Sequence, residues 1–245
     1  MVLVGVIKDK ANYSREDLIK RVMSDQMFQF ISFDQDDMTE KEKYKSVLRK
    51  SKEIDINACC IVIHDTSITT LSSESMTKII SEIIEEKFDL AYICKWDDYC
   101  QLHVKINKKD ANREFEIVKT QHPSGVQAII FSPSGRDIIL GEKPMLNGKI
   151  ISLPDEISNK LTDEVYNGNI KAITTLPNVF DYDIALNAMK NDDYLKVNMC
   201  SVIKLIDNVR SSGSKNVLWF LIVVSIVLIV AWAIIKIGPK ISNRK

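Results

Sequence analysis

The sequence has no net charge to offer a polyanion, since 33 lysines and arginines balance 33 aspartates and glutamates. Setting aside the four basic residues after Ile235 leaves 29 basic against 33 acidic, a net charge of −4. A nucleic-acid binder is expected to carry a basic stripe, so no nucleic-acid partner is expected. The five cysteines, Cys59, Cys60, Cys94, Cys100 and Cys200, are odd in number and lack metal-ligand spacing. That excludes a zinc framework and makes a reduced compartment the simplest reading. Glycine is sparse at 8 residues. Gly135, Gly141 and Gly148 form no phosphate-binding array, and there is no P-loop, no nucleophile–base pairing and no internal repeat. A signal peptide is missing too, because MVLVGVI has no basic segment before it and Lys8-Asp9-Lys10 directly after.

What the sequence does have is one long hydrophobic run, VLWFLIVVSIVLIVAWAII, from Val217 to Ile235. It carries no charge, and at the helical rise it spans roughly 28 Å, close to the hydrocarbon thickness of a bilayer. Trp219 and Trp232 stand near its ends, and Lys215 and Lys236 bracket it where their ammonium groups can snorkel. A buried helix of a soluble core rarely runs this long without a polar face. The expectation is a single-pass membrane protein that contacts the bilayer through Val217 to Ile235. With the only hydrophobic signal last in the chain, the soluble part is expected on the cytosolic side. The tail KIGPKISNRK, with four basic residues, opposes this mildly by the positive-inside rule. Lys196, Lys204, Arg210 and Lys215 give the other flank comparable basic content.

Ahead of the run, strand-like and helix-like segments alternate, as in a layered α/β domain. Val2 to Ile7 reads as a strand, Ser14 with Asp17 as a capping-box start, and Leu18, Ile19, Val22 and Met23 as an apolar helix stripe. Phe28 to Phe33 is a second strand. Thr39 with Glu42 starts a helix carrying Tyr44, Val47 and Leu48. Ala58 to Ile63 is a continuous apolar run of the kind buried on both faces of a parallel sheet. Met76, Ile79, Ile80, Ile83 and Ile84 give the clearest helix, followed by a strand over Asp89 to Ile93. Residues 101 to 120 read as a hairpin or edge excursion. Val126 to Phe131 is a strand leading through Ser132-Pro133-Ser134 into a helix ending near Gly141. Asp155 to Tyr166 and residues 182 to 209 read as helices, with a strand over Ile170 to Thr174 between them, broken by Pro177. Ser211 to Ser214 is a flexible linker.

The segment most suggestive of chemistry is ACCIVIHDTSITT, Ala58 to Thr70, a buried strand ending in His64-Asp65. In open α/β sheets ligands bind beyond the carboxyl ends of strands, where a carboxylate can hold a divalent cation against a diphosphate. Asp65 is the candidate metal ligand, and His64, Asp65 and Thr66 are the candidate cofactor-binding residues. The competing reading is that Asp65 accepts backbone N–H groups of the following turn. Asp97 and Asp98 stand at the end of the next strand, as a replacement pair or as the start of a solvated loop. Asp155 stands at an expected helix start, where a negative charge suits the dipole.

The order of these elements resembles glycosyltransferase family 25, enzymes with the GT-A fold. The resemblance runs from about Val2 to Phe180. It begins at the first strand and continues through MFQFISFD, where such enzymes have an acceptor-side variable loop. It is sharpest in YKSVLRKSKEIDINACCIVIHDTSI, which looks like the family's helix, loop and hydrophobic strand leading to its acidic metal motif, and in FDLAYICKW, which looks like the strand after it. VQAIIFSPSGRDIIL looks like the strand ending in a serine and short helix. LPDEISNKL and IKAITTLPNVF look like the closing Asp-containing helix and Pro-terminated strand. Where the family has consecutive acidic residues, this chain has His64-Asp65-Thr66. HPSGVQAIIFSPSGRDIILG, KPMLNG and NDDY, with a C-terminal anchor, also resemble membrane-anchored proteins of nucleocytoplasmic large DNA viruses.

The resemblances imply an α/β, GT-A-like domain over 1–198, with a mixed, mainly parallel sheet flanked by helices. A juxtamembrane helix and linker (199–216), a transmembrane helix (217–237) and a basic tail (238–245) follow. They also imply a virion inner membrane or host endomembrane, and partners among capsid or other viral membrane proteins. Two functions follow. One is a non-catalytic structural or minor capsid component that links membrane and shell and needs no cofactor. The other is an active transferase using Mn²⁺ or Mg²⁺ and a nucleotide sugar, with Asp65 on the metal and Asp155 or Asp98 positioning or deprotonating the acceptor hydroxyl. A tail-anchored adaptor of unrelated fold is the third possibility.

Overall fold

The computed structural model describes residues 1–8, 14–96, 98, 103–106 and 115–182. The helix expected over 182–209 (apart from Tyr182, which is in a strand), the linker and the run Val217 to Ile235 lie outside them, as does Asp97. Among the described residues no helix is long and apolar enough to cross a membrane.

The described elements, in chain order, are β1 (Val2–Ile7), α1 (Glu16–Val22), β2 (Phe28–Ile31), α2 (Glu40–Ile54), β3 (Cys59–His64), β4 (Ser67–Ile68), α3 (Ser73–Ile84), β5 (Leu90–Cys94), β6 (Val104–Lys105), β7 (Glu116–Lys119), β8 (Ala128–Phe131), α4 (Pro133–Leu140), α5 (Ser158–Tyr166), β9 (Ala172–Leu176) and β10 (Asp181–Tyr182). An 8-stranded sheet runs in the order β2-β1-β3-β8-β5-β9-β7-β6, and β10 pairs with β4 in a small second sheet. This is a mixed α/β fold with a central sheet flanked by helices. β1 pairs in parallel with β2 and β3, and β5 with β9. The expectation of a mainly parallel sheet holds for strand direction but not for pairing. β8 runs antiparallel between β3 and β5, and β7 runs antiparallel to β9 and β6. The apolar run at β3 is central and buried on both faces as expected, yet only one of its neighbours is parallel. Burial on both faces dictates composition and leaves the neighbour's direction open.

Alternation along the strands divides the core into two. Leu3, Cys60, Val62, Tyr92, Ile129 and Phe131 pack under α2, α4 and α5 through Tyr44, Val47, Leu48, Ile138, Ile139, Leu161 and Val165. Val2, Val4, Val6, Ile61, Ile63, Ile130 and Ile93 pack against α1 and α3 through Ile19, Val22, Met23, Met76, Ile79, Ile80 and Ile83. Each such aliphatic side chain contributes about 2 kcal/mol by leaving water. α2 approaches β1 closely enough that a Cβ on Gly5 would overlap the γ-methyls of Val47.

Helix starts agree with the sequence where the cap is local and differ where a distant partner intervenes. Thr39 and Glu42 form the expected capping box, with the Thr39 N–H donating to the Glu42 carboxylate at 2.8 Å. Ser14 and Asp17 do not form one. The Arg15 N–H is drawn to the Asp65 carbonyl at 2.7 Å, and α1 begins at Glu16 without a side-chain cap. Nor does a helix start at Asp155. α5 begins at Ser158, because the Ile157 N–H donates to the Glu40 carboxylate of α2 at 3.1 Å and Lys41 ties down Asp155.

The first turn of α4 joins the two halves of the sheet. Ser132 Oγ accepts the Gly135 N–H at 3.0 Å, and Ser134 donates to the Asp89 carboxylate at 2.9 Å. Gly135 lies so close to Asp89 that a Cβ would overlap its carbonyl. Arg136, 0% exposed, donates to the carbonyls of Asp55, Ile56 and Ala58 before β3. In chemical denaturation of the full chain, Arg136→Ala is expected to lose about 3 kcal/mol, since buried carbonyls lose a charged donor. Gly135→Ala is expected to cost about as much through backbone overlap. Wild-type midpoints for both variants would contradict this account.

Candidate functional site

Strand direction places the ends of β1 and β3 together, and the chain after β3 turns sharply there. The His64 N–H donates to the Gln127 carbonyl at 2.7 Å, and the Asp65 N–H to the Ile7 carbonyl at 2.8 Å. His64, Asp65, Thr66 and Ser67 are all buried, Asp65 to 2% exposure. The His64 ring lies 6.0 Å from that of Tyr44, whose hydroxyl donates to the Val126 carbonyl, and its Nε2 stands 3.9 Å from Glu40 Oε1. Glu40 is also the carboxylate that receives Ile157, so the first turn of α2, the end of β3 and the segment before α5 form one neighbourhood. β4 follows at once and is covered by β10, and Thr69 adds a hydrogen bond to the Val179 carbonyl at 2.7 Å.

Asp155 belongs to the outer rim of this neighbourhood. Its side chain is 69% exposed and ion-pairs with Lys41 at 2.7 Å, and its carbonyl accepts the Lys41 N–H at 3.3 Å. The pair ties the segment before α5 to α2, with modest energy because it is wet.

Asp98 stands in a different cluster, beyond the end of β5. Its Oδ2 accepts the Thr120 hydroxyl at 2.5 Å, lies 2.7 Å from His103 Nε2 and 3.7 Å from the Lys95 ammonium. Lys95 is 1% exposed and donates to Thr174 Oγ1 at 2.8 Å, while its carbonyl accepts from Asn178 at 3.0 Å. Burial penalises the Asp98 carboxylate, but the His103 contact, the Lys95 charge and the Thr120 hydroxyl outweigh it and hold its pKa below the usual value. The cluster locks the chain after β5 onto β7 and β9.

The structure thus brings His64, Asp65 and Thr66 together with Glu40 and puts Asp155 near them, and it gives Asp98 its own partners. Lys95, His103, Thr120 and Thr174 were not singled out by sequence reasoning. The one available signal was a lysine set directly after the apolar strand FDLAYIC, where its charge requires a buried partner. Divalent magnesium or manganese prefers several oxygen ligands in octahedral array. One buried carboxylate flanked by a histidine and a threonine fits that demand poorly, and among the described residues no group of three His, Cys, Asp or Glu could hold a metal. Among the described thiols, burial pushes Cys60 up to about 12 and Cys94 well above its ordinary value, which disfavours the thiolate that a softer metal takes.

The Asp98 cluster has a pH signature. The folded carboxyl binds its proton more weakly than the unfolded one, so its contribution is complete above the ordinary value of 3.8 and is lost as pH falls through the lower folded value. Asp98→Asn is expected to cost about 3 kcal/mol near neutral pH by leaving Lys95 without its countercharge. It should also flatten the acid limb of stability measured against pH below about 4. An unchanged acid limb would assign the acid sensitivity elsewhere.

No protein-family model and no curated protein sequence matches the chain. Among solved structures it is similar to A197 from STIV, with a TM-score of 0.41 at 10% identity over 71% of this chain and 81% of that one. It is also similar to a UDP-glucose pyrophosphorylase complexed with UDP-glucose, with a TM-score of 0.33 at 10% identity over 70% of this chain and 71% of that one.

Proposed function

We propose that the chain is a membrane-anchored, GT-A-like protein that no longer catalyses sugar transfer. It serves as a viral structural component, a minor capsid or membrane-linking protein held on a virion inner membrane or host endomembrane, with its folded domain on the cytosolic side. The observation that carries the reading is the internal placement of the groups a transferase would turn to its metal and its acceptor. Asp65 is buried in a turn whose backbone is bonded to β1 and α1, Asp98 is enclosed by Thr120, His103 and Lys95, and Asp155 is paired with Lys41. The bilayer contact rests on the uncharged run Val217 to Ile235 and its flanking tryptophans and lysines.

A second reading, an active transferase with a nucleotide-sugar donor, is favoured by one observation. The His64-Asp65-Thr66 turn lies at the carboxyl ends of β1 and β3, the side of an open α/β sheet where ligands bind.

Calorimetric titration of the full chain in detergent with Mn²⁺ and UDP- and GDP-sugars separates the two. The expected result is no saturable heat from a protein with a cooperative unfolding transition. Saturable binding that disappears in Asp65→Asn would establish the second reading. The anchor is tested by extraction: the full chain is expected to resist alkaline carbonate and to become soluble when residues 211–245 are removed. Release of the full chain by carbonate would remove the membrane from the proposal.

A further inference from the structure

Among the described residues, six of the seven large apolar side chains left in water, all but Ile150, lie at one end of the sheet. Met1 precedes β1, Ile54 and Ile56 precede β3, and Tyr166 ends the helix before β9. Leu146 is bonded through its N–H to the Asn169 carbonyl, also before β9. Val104 stands on the edge strand β6 beside Lys119, which in turn pairs with Ile173 near the start of β9. All six therefore mark the amino ends of the strands, opposite the end that holds His64 and Asp65.

A groove of about 790 Å³ opens at this pole between the last turns of α3 and α5 and the β6–β7 edge. Its floor is apolar, with Ile170, Ala172 and Ile173, and Val104 and Tyr166 form its walls. Lys87, Lys119 and Lys171 stand exposed around it. Among the described residues no carboxylate pairs with any of the three. The lining carries three lysines against two glutamates, and the charges are segregated: Glu85 and Glu86 lie beside Lys87 after α3, while Lys119 and Lys171 make the β7–β9 side the positive one.

We infer that this amino-pole groove is a protein-docking site that receives an acidic segment of a partner, with apolar side chains on the floor and carboxylates against Lys119 and Lys171. The inference rests on the reading of the chain as an interaction protein and names the surface it would use. An isolated phosphate suits the groove less well, because the ammonium groups are spread along an apolar trough. Electrostatic matching of this kind sets specificity and association rate.

The test uses the full chain in detergent and a fluorescent peptide in which glutamates alternate with leucines, followed by anisotropy. Saturable binding is expected that weakens as salt rises, falls about ten-fold in Lys119→Glu/Lys171→Glu, and falls in Val104→Ser. Both variants change exposed side chains, and their unfolding midpoints report whether the fold is intact. Equal binding of a lysine–leucine peptide, binding unchanged by the variants, or displacement by inorganic phosphate alone would overturn the proposal. Failure here would leave the non-catalytic reading standing. Nucleotide-sugar binding at Asp65 would remove that reading without touching the groove.

Discussion

The Arg136 guanidinium enters the interior of the domain because three carbonyls of the turn before β3 converge on it, and that contact dictates where the helix after β8 must lie. A buried guanidinium without acceptors would cost several kcal/mol, so the α2–β3 turn and α4 have to form together. Ser134 and Gly135, two residues and one residue earlier, engage Asp89 at the amino end of β5 in the same turn. The reversed strand β8 delivers the chain to this pole. The opposite pole is thereby left to short turns and the small β4–β10 sheet, and it is there that His64 and Asp65 lie.

Much of this was legible in the sequence, for identifiable reasons. β1, α2, β3, α3 and α4 stand out because their information is local: the capping box at Thr39 and Glu42, the isoleucine stripe of α3, and the Ser-Pro entry and left-handed Gly141 exit of α4. What escaped depended on residues far apart. α5 starts later than its composition indicates because Glu40, 117 positions away, takes the Ile157 N–H. The antiparallel insertion of β8 was hidden because a strand buried on both faces has the same composition whichever way its neighbour runs. At the site, Asp65 was readable as the end of an apolar strand, and its two competing roles were both visible. The Asp98 cluster was not, because it is assembled from residues after β5, after β7 and within β9.

The chemistry of the chain is shaped by how its charges are used. Several of its lysines and acids serve as ties between segments: Lys52 joins α2 to Asp137 and Glu142, Lys41 joins it to Asp155, and Lys95 joins the end of β5 to β9. Groups so committed are poor catalysts, because moving a proton or binding a substrate would break a contact that holds the fold. Both ends of the sheet use charges in this manner, and among the described residues the amino end also keeps exposed apolar side chains and, in Lys119 and Lys171, lysines that pair with no carboxylate.

β10 is the last described element, and a force applied at Tyr182 enters the fold through it. Its ladder with β4 is two residues long, and the next points of attachment are the Phe180 and Val179 N–H groups on the Ile93 carbonyl and the Thr69 hydroxyl on the Val179 carbonyl. Behind them, β9 is flanked by β5 on one side and β7 on the other, so pulling along it loads two ladders in shear. A pull at Tyr182 itself would strain this short ladder first and reach the two ladders of β9 only after it parted, so the small sheet sets the force at which this end of the described domain begins to open.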